Sequence, residues 1–439
     1  MKYFLVFGAG KSSIYLIEHL NQYGQVHQIK TLVCDKDVSF VESYLSKNEC
    51  LEFLQLDIQN QNQVESLIKN AEIVVSLLPA HLHFNIAKIC LSQNKNLCTA
   101  SYISDDMKSL NDEVEQKKLT FLNEMGLDPG IDHLSAMQLF EDIQLKGGVI
   151  QSFKSYCGGL IDEASEGDNP WKYKFTWNPR NVVLAGQGGC AQYLNNNQFK
   201  LLPYHQLFKL NDSFSINGKK FEGYPNRDSL LYTHVYGLEN ASTIIRGTLR
   251  KEGFCSAWQQ LVSLGLTDNQ KVLTLQENTT CRQWLEMYCP NGVANIQRYL
   301  SCSDEDIDKI EWLGLFSDDP LPIQKGTSAE ILEEILKSKW QLQPNDRDTV
   351  VMVHEIIYQL NGKTFLLNSS LMLNGETQIK TAMAKTVGLP LAYGTIMLFE
   401  GKIKNKGVIM PIYKDIYEPI LKQLKNHQII FSETLTELT

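Results

Sequence analysis

YFLVFGAGKSSIYLIEHL, residues 3–20, carries two competing signatures. Gly10-Lys11-Ser12 ends like a nucleotide-triphosphate P-loop, while Gly8-Ala9-Gly10 begins like a dinucleotide turn. A P-loop needs a glycine five residues before its second one, because its phosphate cradle is a long loop of backbone N–H groups. That position is Leu5, inside the apolar run Tyr3–Phe7, so the turn is too short to wrap a triphosphate. The pattern G-x-G-x-x-G fits Gly8 and Gly10, with Ser13 in third place. The first glycine permits the tight turn and the second lets the backbone approach a pyrophosphate; the third eases helix–strand packing, which a small serine tolerates. Gly10, Lys11, Ser12 and Ser13 then open a helix whose N-terminus receives the pyrophosphate.

The surrounding rhythm supports the dinucleotide reading. Apolar runs recur at Tyr3–Phe7, Ile29–Cys34, Leu51–Leu56, Ile73–Leu78, Leu97–Ala100 and Thr120–Leu122. Helix-length polar segments separate them, at Ile14–Tyr23, Val38–Lys47, Gln61–Lys69, Phe84–Gln93 and Asp105–Gln116. Short runs buried on both faces and alternating with helices predict a doubly wound parallel sheet in an α/β protein. Asp35 closes the second strand, where an acid accepts from ribose hydroxyls and repels a 2′-phosphate, favouring NAD with NADP still possible. Asp57, ending the third strand, lies near the adenine or belongs to a helix N-cap region with Asn60. Leu78-Pro79, ending the fourth, packs near the cofactor ribose, and His83 reads as a cap or packing residue before a catalytic base.

After about Gly130 the pattern changes. Residues 147–250 are rich in glycine loops, aromatics and short alternating runs, and read as mixed α/β. Residues 251–345 are helical in pattern, at Ala257–Leu264, Cys281–Tyr288, Glu305–Leu313 and Ser328–Lys337. Val350–Val353 and Phe365–Leu373 read as strands, and Gly375–Glu400 as a long amphipathic helix that Pro390 should kink. The expected division is 1–130 with 376–439, then 131–250 with 346–375, then 251–345.

A chain of 439 residues implies more than one core. A net charge of −9 argues against nonspecific nucleic-acid or anionic-membrane binding. The absence of an 18-residue apolar run predicts no spanning helix. Ten scattered cysteines without a CxxC pair read as reduced thiols in a cytoplasmic protein, and no metal site is expected. Arg227, Arg246 and Arg250 fall within 24 residues. They form either a carboxylate-binding pocket or surface ion pairs.

The segments GLDPGIDH (126–133), SYCGGL (155–160), NPWKYKFTW (169–177), GYPNRDS (223–229), RGTLR (246–250) and AMAKTVGLP (382–390) resemble the L-glutamate-forming saccharopine dehydrogenases, or saccharopine reductases. The resemblance runs from residue 3 to about residue 420. It implies a discontinuous Rossmann domain completed by the C-terminal segment, a mixed α/β substrate and dimerisation domain, and a small helical insertion. It implies NAD(P) as cofactor, saccharopine as substrate and a homodimer. Ser101 and Tyr102 are expected at the substrate, Leu127 at the nicotinamide, and Asp128 at the substrate amine. Arg227 is expected to clamp a carboxylate, with Thr248, Leu249 and Arg250 walling the same pocket. Oxidising a secondary amine needs a proton acceptor near the nitrogen; Asp128 is the first candidate and His133 the second. The alternatives are a carboxynorspermidine dehydrogenase-like enzyme, whose cationic substrate calls for acids rather than arginines, and a non-catalytic dinucleotide-binding protein.

Overall fold

A computed structural model describes residues 2–289, 292, 296, 300 and 302–438. The chain forms two compact units: residues 1–147 with 379–430, and 148–378 with 431–439.

The first unit is built on a seven-stranded parallel sheet. Its chain-order strands are β1 (Tyr3–Phe7), β2 (Lys30–Asp35), β3 (Leu51–Gln55), β4 (Ile73–Ser76), β5 (Asn96–Thr99) and β6 (Thr120–Leu122). The spatial order is β3-β2-β1-β4-β5-β6, and the strand Gly407–Ile409 adds the last edge beside β6. Every pairing is parallel. The order reverses direction between β1 and β4, which opens a crevice at the carboxyl ends of the strands. β1 and β4 are buried along almost their whole length, as expected of central strands covered on both faces.

Three helical expectations need correction. Val38–Lys47 contributes only the short helix Ser39–Glu42. The segment after Gly375 becomes helical only at Ala382, because Thr381 caps it by accepting from the Ala384 N–H at 2.9 Å. The helix Ala382–Phe399 runs through Pro390 as one element and is buried nearly all round, so it is not amphipathic. Gly388 explains its closeness to the helix Ile14–His27: a Cβ there would lie 2.7 Å from the Leu16 nitrogen. By length and composition Ala382–Phe399 could cross a bilayer, where none was expected, but 78% of it is buried in the protein.

The second unit holds a mixed nine-stranded sheet. Its main path is Asp212–Ile216, Lys219–Pro225, Thr243–Lys251, Val149–Ile161, Asp348–Leu360, Lys363–Asn374 and Ser432–Leu438. Thr243–Lys251 runs parallel to Val149–Ile161, and the other neighbours on this path are antiparallel. Ser432–Leu438 was expected with the dinucleotide domain; its pairing with Lys363–Asn374 puts it in this unit instead. Helices at Phe254–Leu264, Cys281–Glu286, Asp304–Trp312 and Ser328–Trp340 fill the stretch read as helical. Residues 290, 291, 293–295, 297–299 and 301 of that stretch lie outside the described residues. A short ladder, Val272–Thr274 with Lys325–Thr327, joins them. Around Phe254 in the core of this unit, Trp258 stacks, Trp171 packs edge-on and Trp340 lies tilted.

Candidate active site

In the first unit the glycine turn leaves β1 and enters the helix Ile14–His27 through a single 3-10 turn at Lys11–Ser13. Gly8 sits at φ +112°, and a Cβ there would approach the Leu77 carbonyl oxygen to 2.9 Å. The fold itself therefore requires glycine at position 8. At Gly10 a Cβ would meet nothing within 4 Å, and its φ of −80° suits any residue. The protein leaves open space above Gly10, at a helix start whose first N–H groups have no intrahelical partner. That is the cradle a pyrophosphate fits. Ser13 turns inward and donates to the Gly10 carbonyl at 2.8 Å, while Lys11 is exposed and Ser12 half-buried.

Asp35 ties the end of β2 to this turn. One carboxylate oxygen accepts from the Ala9 N–H at 2.7 Å, the other from the Asp37 N–H at 3.1 Å. Asp57 is exposed and accepts from the Gln59 N–H at 3.0 Å, one step before Asn60 caps the helix Gln61–Asn70. Its local geometry is that of a capping turn. Leu78 is half-buried against the core behind β4.

The loops after β5 and β6 are stitched together. Met125 N–H donates to the Thr99 carbonyl at 3.1 Å, and Glu124 N–H to the Ser101 carbonyl at 3.1 Å. The Tyr102 hydroxyl donates to Asp128 Oδ1 at 2.8 Å. Ser101, Tyr102, Leu127 and Asp128 are thus brought together at the carboxyl ends of neighbouring strands. Beneath them lies a buried brace that sequence reasoning missed. Glu124, 2% exposed and in the left-handed region at φ +58°, bonds His133 Nε2 at 2.7 Å and accepts from the Ile103 N–H at 3.0 Å. His133 is fully buried in the helix Ile131–Leu145, and Asp132 accepts from the Gly130 N–H at 2.6 Å. Gly130 is compulsory, since a Cβ there would collide with the Gly126 carbonyl at 2.0 Å. His83, in the first turn of the helix Ala80–Ser92, links Ser76 Oγ at 2.8 Å to Ser101 Oγ at 2.7 Å. Burial and the nearby His81 hold its pKa down at about 4, so the ring is neutral.

In the second unit, Arg246, Thr248 and Arg250 alternate along Thr243–Lys251 and share one face of the strand. Leu249 points to the other face and is wholly buried. The Arg250 guanidinium lies in an aromatic cage, 5.2 Å from the ring centres of Tyr173 and Phe254 and 5.8 Å from that of Tyr224. It donates to the Leu249 carbonyl at 2.9 Å, and its buried Nε has no hydrogen-bond partner among the described residues. Arg246 is also buried and stacks on Tyr232 at 4.0 Å. Arg227 is exposed, with its backbone at φ +54° and its carbonyl accepting from the Gln192 N–H at 2.8 Å. The surface ion-pair alternative therefore fails for Arg246 and Arg250. Strand alternation around Arg250 was the signal for the cage, since Tyr224 lies directly across from Thr248. Among the described residues no three His, Cys, Asp or Glu side chains gather as a metal site.

Two family models cover nearly the whole chain: the saccharopine dehydrogenase NADP binding domain over residues 4–122, and the saccharopine dehydrogenase C-terminal domain over residues 126–430. The chain is 33% identical over 406 residues to saccharopine dehydrogenase [NADP(+), L-glutamate-forming] of Saccharomyces cerevisiae, covering 89% of this chain and 90% of that protein. It is 32% identical over 452 residues to the mitochondrial alpha-aminoadipic semialdehyde synthase of Rattus norvegicus, covering 98% of this chain but 48% of that protein. The chain thus spans about half the length of such relatives. The apo saccharopine dehydrogenase (L-Glu forming) structure from Saccharomyces cerevisiae superposes with a TM-score of 0.88 at 30% identity, over 99% of this chain and 100% of that one.

Proposed function

This chain belongs to the saccharopine dehydrogenase family, and from that premise we propose that it oxidises saccharopine to L-glutamate and 2-aminoadipate 6-semialdehyde, in the direction of lysine breakdown. The Tyr102–Asp128 hydrogen bond carries the reading. It sets an oriented carboxylate at the strand ends where this fold class places the reacting end of a dinucleotide. The amine of saccharopine is an ammonium at neutral pH, and its oxidation needs a free nitrogen lone pair. Asp128 takes that proton, with Tyr102 fixing the direction in which the carboxylate faces. His133 is bonded to Glu124 inside the unit, so we assign it to bracing the loop. Bound at the glycine turn, the nicotinamide would supply the two-electron acceptor, and addition of water to the resulting imine breaks the carbon–nitrogen bond to release L-glutamate and the semialdehyde. Gly10, Lys11 and Ser12 hold the pyrophosphate, Gly8 and Ser13 shape the turn that presents them, and Asp35, Leu78 and Leu127 lie along the rest of the cofactor.

Arg250 and Arg227 bind the substrate carboxylates, with Thr248 beside them. The unfilled donor at Arg250 Nε and its weakly hydrated cage suit a carboxylate. NAD is the preferred cofactor in this reading, although the yeast relative is named for NADP(+). The negative charge of Asp35 beside the turn opposes a 2′-phosphate. We assign substrate binding and dimer formation to the second unit, residues 148–378 with 431–439, within which 251–345 is a helical insertion; the active form is a homodimer. Its cysteines are free, which fits a reducing compartment such as the cytoplasm.

The test is the ultraviolet absorbance of reduced nicotinamide with saccharopine and each dinucleotide. Faster reduction of NAD than of NADP is expected. No reduction of either sinks the reading, and faster reduction of NADP overturns the cofactor preference alone.

A further inference from the structure

The chain Ser76–His83–Ser101 is a buried hydrogen-bonded line that ends at a half-exposed hydroxyl. Its direction follows from counting donors. Ser76 is fully buried, and among the described residues its hydroxyl has one partner, His83 Nδ1 at 2.8 Å. A neutral imidazole donates from one nitrogen and accepts at the other. If Nδ1 carried the proton, the Ser76 O–H would be a buried donor with nothing to receive it, the costlier of the two arrangements. Ser76 therefore donates to Nδ1, and Nε2–H donates to Ser101 Oγ at 2.7 Å. Ser101 Oγ, with one lone pair occupied from within, keeps its own O–H to offer outward.

We propose that His83 is a positioning residue that fixes the Ser101 hydroxyl as a hydrogen-bond donor to a substrate carboxylate. The proposal rests on the reading of this site as a saccharopine site. It gives His83 a part in substrate recognition without contact to the substrate and without any proton transfer.

Steady-state kinetics with saccharopine test it on four variants: His83→Leu, His83→Gln, His83→Asn and Ser101→Ala. His83→Leu should raise the saccharopine KM by about tenfold, the weight of one neutral hydrogen bond, with the dinucleotide KM near wild type. A glutamine amide can occupy the place of Nε2 and reach Ser101, whereas an asparagine amide reaches only the place of Nδ1. Glutamine should therefore restore most of the loss and asparagine little, a contrast that a purely structural role would not produce and that holds even if His83→Leu folds poorly. In the Ser101→Ala background, His83→Leu should add no further rise in KM. An unchanged KM in His83→Leu, an equal penalty with and without Ser101, or equal rescue by asparagine overturns the proposal while leaving the function intact. A wild-type protein that turns over no saccharopine overturns both.

Discussion

In the proposed reading Asp35 combines a structural and a discriminating role in one carboxylate. It anchors the Ala9 N–H of the glycine turn at 2.7 Å and places a negative charge at the end of β2. The two roles are separable by substitution. Asp35→Asn keeps an oxygen for Ala9 and removes the charge, so it should narrow the NAD/NADP ratio of kcat/KM by about tenfold or more at near-normal stability. Asp35→Ala removes the anchor as well and should weaken both cofactors. Initial rates with each dinucleotide check this, and an unchanged ratio in Asp35→Asn would remove the residue from cofactor choice. Arg250 makes a comparable demand on shape. Lysine keeps the charge but cannot stack flat among Tyr173, Tyr224 and Phe254. Arg250→Lys should raise the saccharopine KM by about tenfold to a hundredfold, measured as KM at saturating dinucleotide. His19 and His83 give the protein an acid weakness. Both have folded pKa values of about 4 against 6.5, mainly through burial. The unfolded chain therefore binds more protons between pH 6.5 and 4, and stability falls as the pH drops through that window. Thermal melting across it should show the decline, with a shallower slope in His83→Gln; equal slopes would contradict the assignment.

At the scale of elements, the two glycines of the turn separate fold from function. Gly8→Ala puts a side chain at φ +112° against the Leu77 carbonyl and should cost about 1–3 kcal/mol of stability. Gly10→Ala meets no protein atom, so its melting temperature should match wild type while dinucleotide affinity falls by about tenfold. Calorimetric melting and titration with NAD separate the outcomes; a normal affinity in Gly10→Ala would mean that no pyrophosphate rests on this turn. The strand–helix rhythm of residues 3–122 was legible because both-face burial writes continuous apolar runs. The turn residues were legible because their spacing is set by a backbone approach. The helix Ala382–Phe399 was misread as amphipathic, since its burial comes from elements remote in sequence. His83 and Glu124 were not legible as site supports. Their partners, Ser101 at 18 residues and His133 at 9, follow no helical or strand period. Arg246 and Arg250 could be found as a cluster, but only the folded strand distinguishes them from surface ion pairs.

At the scale of the whole molecule, each sheet borrows an edge from the far end of the chain. Gly407–Ile409 completes one and Ser432–Leu438 the other. All seven residues of the latter strand are exposed, so its attachment rests on its ladder with Lys363–Asn374 more than on side-chain burial. Removing residues 432–438 would uncover the edge of Lys363–Asn374 from Thr364 to Ser370. Open edges recruit other chains. The shortened protein should therefore scatter light at a lower temperature than wild type while binding dinucleotide normally; unchanged scattering would show that the strand is dispensable. This interleaving also sets an order of events during synthesis. As the chain leaves the ribosome, five contiguous βα segments can begin to associate early, but the sheet they form, ending at Leu122, stays without its last neighbour Gly407–Ile409 and its helix Ala382–Phe399 until most of the remaining chain has emerged. The middle of the chain must meanwhile wait for its own final strand. A nascent chain paused midway therefore exposes two incomplete sheets at once.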